Sequence, residues 1–119
     1  MTVLRFLFSF EGRIGRGWYW LILILQMAIA FVLLSAVSAL PWGAKFEQSV
    51  GMQVSVGAVI AVYAAMWFAT HAKRWHDLGR SGWSTLIWFI PVVGALYLLI
   101  MCGFVRGEAG PNAYGPEPL

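Results

Sequence analysis

The densest polar chemistry in the sequence is the stretch Lys73-Arg74-Trp75-His76-Asp77-Leu78-Gly79-Arg80-Ser81-Gly82-Trp83. His76 beside Asp77 suggests proton transfer, because histidine titrates near neutral pH. Neighbours on a helix point about 100° apart, however, so the two do not form an acid–base pair by adjacency alone. Catalysis would also need a nucleophile or a metal. His71 and His76 are the only histidines, five residues apart, whereas two ligands on one helix face need a spacing of four. No cysteine or carboxylate cluster completes a metal set. The residues therefore predict no cofactor, no metal and no enzymatic activity, and they leave His76 available for proton coupling. A lone Cys102 inside an apolar run cannot form an intrachain disulfide and reads as a small core hydrophobe.

The same stretch has a structural reading. On a helix continuing through it, Asp77 falls one turn beyond Lys73 and three residues after Arg74, and both pairings are favourable. Gly79 suits a left-handed C-cap, and Ser81 or Ser84 an N-cap for the next helix. The stretch reads as a tight helical turn pinned by ion pairs and resting on headgroups.

The elements that position it are apolar. Hydrophobic residues make up 61% of the 119-residue chain and charged residues 11%, too apolar for a small soluble domain to hide. The net charge of +3 does not indicate nucleic-acid binding, since the eight basic residues sit at the edges of apolar runs. Basic residues so placed meet anionic lipid headgroups. The expected fold is all-α: one membrane domain, residues 1–119, with three transmembrane helices over about 18–40, 50–72 and 83–104. A short interfacial segment, Val3 to Phe10, precedes them. A Gly/Pro-rich tail follows from Arg106, either mobile or docked through Tyr114.

The first run, Trp18 to Leu40, has 23 residues without a charge. As a helix it is about 34 Å long, enough for a ~30 Å hydrocarbon core. Val37-Ser38-Ala39 resembles a signal-peptidase site, but the run is too long for a signal core and reads as a retained span. Pro91 and Gly94 interrupt the third run. The pieces on either side are each too short to span, so a kinked single helix is expected over a re-entrant hairpin.

Orientation follows from the basic residues. Arg5, Arg13, Arg16, Lys73, Arg74 and Arg80 fall on one side, and Lys45 and Arg106 on the other. Six against two places the N-terminus and the second loop in the cytoplasm, with Pro41 to Ser49 and the tail outside. Trp18, Tyr19, Trp20, Trp75 and Trp83 then form the cytoplasmic aromatic belt, and Trp42 marks the far interface. In the second span, Gly57, Ala61, Ala65 and Ala69 recur every four residues as a helix-packing groove, within the chain or between copies. Gln26, deep in the first span, needs a partner on another helix.

Three stretches together resemble the domain of unknown function 805 family, small inner-membrane proteins of bacteria. The first is Phe10-Glu11-Gly12-Arg13-Ile14-Gly15-Arg16-Gly17-Trp18-Tyr19-Trp20. In the second, Arg74, His76, Asp77, Gly79, Ser81, Gly82 and Trp83 are similar to the family's Arg-x-His-Asp-x-Gly-x-Ser-Gly-Trp pattern. The third is the tail Gly110-Pro111-Asn112-Ala113-Tyr114-Gly115-Pro116-Glu117-Pro118. Lys73, Trp75, Ser84 and Ala113 depart from the family's usual residues. The resemblance implies a multi-pass protein of the bacterial inner (plasma) membrane, and it implies no particular activity.

The expected functional surface is one cytoplasmic cluster of Arg13, Arg16, Arg74, His76, Asp77 and Arg80, with Asp77 paired to an arginine, fixing the bundle and holding anionic headgroups. The leading functional reading is a non-enzymatic scaffold or accessory subunit that binds membrane lipids and a larger membrane complex or further copies of itself, with no nucleic acid. The alternative is an oligomeric channel or small-solute transporter with Gln26, Gln53 or His71 facing its centre. The absence of ionisable residues in mid-span argues against an ion pump.

Overall fold

A computed structural model describes residues 2–41 and 46–118. Trp42 and Lys45, the far-side markers, lie outside them. The elements are α1 (Val3–Phe8), α2 (Arg16–Ala39), α3 (Phe46–Asp77), a 3-10 segment (Gly82–Phe89) and α4 (Val93–Gly103). No strand occurs among the described residues.

Thr2 caps α1 by accepting the Arg5 N–H at 3.2 Å. α2 starts after Gly15 and ends at Leu40, where Pro41 cannot continue a helix. Both α2 and α3 are long and apolar enough to cross a membrane. They run antiparallel and are joined by polar groups as well as packing. Tyr19 Oη meets His71 Nε2 at 3.0 Å, and Gln26 Nε2 donates to Thr70 Oγ1 at 2.8 Å and to the Met66 carbonyl at 3.3 Å. Gln26 thus finds cross-helix acceptors for its amide nitrogen, because hydrocarbon offers it no alternative, while its Oε1 is buried without a hydrogen-bond partner. The buried positions of α2 are Tyr19, Ile22 and Gln26, all in its first half. The core of Ile14, Tyr19, Ile22, Trp75, Leu98 and Cys102 therefore sits at one end of the molecule, and the outer half of α2 is exposed apolar surface.

The third apolar run departs from expectation. It is not one kinked helix over 83–104 but a hairpin. The 3-10 segment starts with Gly82 against Ala72 and advances along α3 until the Trp88 ring meets Trp67, with centroids 5.2 Å apart. Nine residues separate Trp67 from His76, a depth of about 14 Å. The chain then reverses. Val92 adopts φ 61° and ψ −63°, with Val93 N–H bonded to the Pro91 carbonyl at 2.6 Å, a γ-turn of the strained hand. Gly94 follows because a side chain there would run into the Ile87 carbonyl. α4 returns to where the run began, so that Arg74 Nε donates to the Cys102 carbonyl at 2.6 Å and Trp20 Nε1 to that of Gly103 at 2.9 Å. Pro91, read as a kink, marks a reversal.

A second correction follows. The tail was expected on the side opposite the N-terminal segment, yet its carbonyls bond Arg13, so both lie at the same end. The aromatic belt is also revised. Trp18 and Trp83 are well exposed, but Tyr19 and Trp75 are core residues. The small-residue groove is used at one end only: Ala69 is fully buried and Ala65 borders a cleft, whereas Gly57 and Ala61 are exposed. α2 packs instead on the neighbouring face of α3 that carries Met66, Thr70 and His71.

Candidate functional site

The last turn of α3 delivers Arg74 and Asp77 on one face, three residues apart. It stops in a Schellman motif: Arg80 N–H bonds the Trp75 carbonyl at 2.9 Å and Gly79 N–H that of His76 at 3.0 Å. Gly79 takes the left-handed φ of 75° that this ending requires. Ser81 then caps the 3-10 segment, its hydroxyl accepting Trp83 N–H at 3.3 Å.

Asp77 lies at the centre of a clasp. Its Oδ1 accepts Arg13 Nε at 3.1 Å and Nη2 at 2.9 Å, and its Oδ2 accepts Arg74 Nη1. The side chains of Arg13, Arg74 and Asp77 are 1%, 0% and 5% exposed. Two cations and one anion leave an unbalanced positive charge in a dry place. Carbonyl oxygens take up nearly all of the remaining donors. Arg13 bonds those of Glu108 at 2.6 Å, Gly110 at 2.7 Å and Gly115 at 3.2 Å. Arg74 bonds those of Cys102, Ile14 and Val105. A guanidinium is suited to this because its planar fork presents five donors in fixed directions. Asp77 also accepts Glu108 N–H on its own carbonyl at 2.8 Å, and Gly107 approaches its carboxylate so closely that a methyl group there would collide with it.

His76 joins the same assembly by another route. Its Nδ1 lies 2.9 Å from the Gly12 carbonyl, and its ring stacks on Tyr114 at 4.1 Å with the planes 2° apart. Asn112 Nδ2 reaches the His76 carbonyl at 2.9 Å. The tail is thus docked, through Tyr114 among other contacts. Lys73 does not pair with Asp77; it donates to the Phe6 carbonyl and lies over the Phe6 ring at 4.0 Å.

Of the six residues expected to converge, Arg13, Arg74 and Asp77 touch, and His76 borders them through Gly12 and the tail. Arg16 and Arg80 stand apart and are exposed. Arg16 donates to the Phe104 carbonyl at 3.0 Å, and Arg80 to Tyr97 Oη at 2.9 Å, lying over Trp75 at 5.8 Å. Sequence reasoning missed Gly12, Ile14, Val105, Gly107, Glu108 and Gly110 as parts of the site. Most contribute a backbone carbonyl, which no side-chain type betrays. The available signal was the tail's Gly110-Pro111-Asn112, where Gly110 has φ 72° and Asn112 Oδ1 accepts Tyr114 N–H at 2.8 Å, the marks of an ordered turn. The clasp offers no exposed nucleophile. Its chemistry is the fixing of the N-terminal loop, the end of α3, the end of α4 and the tail to one carboxylate.

Comparison with known proteins agrees with a membrane setting. The chain is 30% identical to the inner membrane protein YhaH of Escherichia coli strain K12, across 99% of this chain and 93% of that one. It is 29% identical to the uncharacterized protein YiiR (98% and 90% covered) and 27% identical to the inner membrane protein YhaI (99% and 92%) of the same strain. No solved structure matches. The family of proteins of unknown function DUF805 matches residues 7–116, which takes in the whole clasp from Arg13 to Gly115, and the chain belongs to that family.

Proposed function

We propose that this protein is a non-enzymatic scaffold or accessory subunit of a bacterial inner membrane, with two spanning helices, a re-entrant hairpin and both termini in the cytoplasm. The observation that carries the reading is the Asp77 carboxylate shared by two buried arginines, with every other donor of Arg13 and three of Arg74 bonded to backbone carbonyls. Such a centre makes a rigid platform out of segments far apart in sequence. Anionic headgroups and a membrane partner are left to the exposed cations around it, Arg5, Arg16, Arg80 and Arg106, each attracted by roughly 1 kcal/mol near an anionic surface. The orientation gains support from the docked tail. With Arg106 on the clasp side, seven of the eight basic residues share one side and only Lys45 opposes them.

A scaffold is favoured over an oligomeric channel because two of the three polar groups a pathway would use, Gln26 and His71, are buried and bonded to the neighbouring helix, while the third, Gln53, is exposed. The test is purification of the tagged protein from native membranes in mild detergent, with mass spectrometry of what co-elutes. A stoichiometric membrane protein, lost when Arg16, Arg80 and Arg106 are changed to Gln, is the expected result. A homo-oligomer carrying lipid alone, with solute flux in liposomes, would overturn the reading.

A further inference from the structure

Between α3 and the 3-10 segment runs a half-enclosed cleft of about 610 Å³. Its walls are nearly all apolar: Phe10, Ala65, Phe68, Ala72, Trp83 and Leu86. Small residues on α3 make the room. From His76 at the clasp end to Ala65 is eleven residues, or about 16 Å, close to half of a ~30 Å hydrocarbon core. The cleft therefore has the depth of one leaflet. Three polar side chains border it, His76, Ser81 and Thr85, and no lining residue carries a formal charge.

Thr85 is the unexplained one. It is 1% exposed, and its hydroxyl has no hydrogen-bond partner. Its oxygen presents almost no surface to the cleft as it stands, so a ligand reaches it only when the Thr85 side chain turns toward the lumen; the cost of a buried unpaired hydroxyl, on the scale of a lost hydrogen bond, favours that turn. Thr85 lies three residues past Gly82, roughly 6 Å deeper than the mouth at a 3-10 rise of ~2 Å. At the mouth, the His76 Nδ1 must donate to the Gly12 carbonyl, which can only accept. In the neutral ring, Nε2 on the side of Gly82 is then an acceptor.

We propose that the cleft holds one phosphatidylethanolamine molecule from the clasp-side leaflet. One acyl chain lies along Ala65, Phe68 and Leu86, the ester carbonyl accepts from Thr85 Oγ1, and the ammonium donates to His76 Nε2. The uncharged mouth suits a zwitterionic headgroup rather than an anionic one. This site is separate from the exposed arginines and does not depend on the scaffold reading.

The test is photo-crosslinking of the full-length protein in vesicles that contain phosphatidylethanolamine with a diazirine on its acyl chain. Parallel arms use phosphatidylcholine and a free fatty acid bearing the same diazirine. Labelling is expected within 65–86, several-fold stronger for the ethanolamine lipid than for the choline lipid, which has no N–H to donate. Ala65→Leu should abolish it, Ala61→Leu outside the cleft should not change it, and Thr85→Val should lower it by about five-fold, the share of one hydrogen bond. Each variant's melting temperature in detergent separates a filled cleft from a damaged fold. Labelling spread evenly along α2 and α3 and indifferent to Ala65→Leu would overturn the proposal, as would equal labelling by the free fatty acid. Crosslinks from 65–86 to a second copy of the chain would also overturn it.

Discussion

Asp77 is the residue on which most depends, and its effect on stability has a clear sign. Asp77→Ala leaves two guanidinium groups buried without their counter-charge, and breaking a buried pair in this way costs about 3–5 kcal/mol. We expect Asp77→Ala to lower the melting temperature in detergent strongly, and Arg16→Gln, a change at an exposed side chain, to leave it nearly unchanged. A smaller change tests the same spot. Gly107→Ala places a methyl group on the Asp77 carboxylate and should destabilise comparably, whereas Ala109→Ser at an exposed tail position should not; the same thermal assay reads both. The spacing of Arg74 and Asp77 foretold their pairing. Arg13, 64 residues from Asp77, was expected in the same cluster, but the carbonyls that complete the site could belong to any residue, so chemistry by residue type found the charged groups and not their setting.

At the scale of elements, the apolar runs were legible, because length and lack of charge alone define them, but α3 (Phe46–Asp77) overruns the expected 50–72 at both ends, since a helix continues past the apolar stretch that marks it. The path of the third run was not legible. A proline followed by a glycine reads equally as a kink or as a reversal, and the pieces being too short to span is consistent with neither of them spanning. What decides is outside the run: the carbonyls of Cys102 and Val105 satisfy Arg74 only if the chain returns. The turn itself carries a prediction. Val92 is β-branched at positive φ, a strain on the order of 1–3 kcal/mol, and its side chain is 73% exposed and packs little. Val92→Gly should therefore raise the melting temperature, since the entropy lost by a glycine is only about 0.5–1 kcal/mol. Val93→Gly, inside α4, should lower it.

For the whole molecule, the topology we propose from the hairpin and the docked tail differs from three crossings by the side on which the tail lies. A single reporter cysteine at Glu117→Cys, in a Cys102→Ala background, distinguishes them. A membrane-impermeant maleimide should label it in inverted vesicles and leave it unlabelled in intact spheroplasts; the reverse would restore three spans. The charge bias from which we propose the orientation of the N-terminus is independent of that path, because it rests on α2, α3 and the loops around them.

The bond from Arg13 to the Gly115 carbonyl joins residues 102 positions apart, nearly the whole chain. During synthesis, the first arginine of the clasp emerges early and must wait for residues 108–115 before its tail acceptors exist. α2 and α3 can pair before then, but this end of the molecule stays unlatched until the tail has been made. A chain stopped short of Glu108 would keep every acceptor of Arg74 and lose the three carbonyls that hold Arg13, so the clasp closes from its α4 side first and from its tail side last.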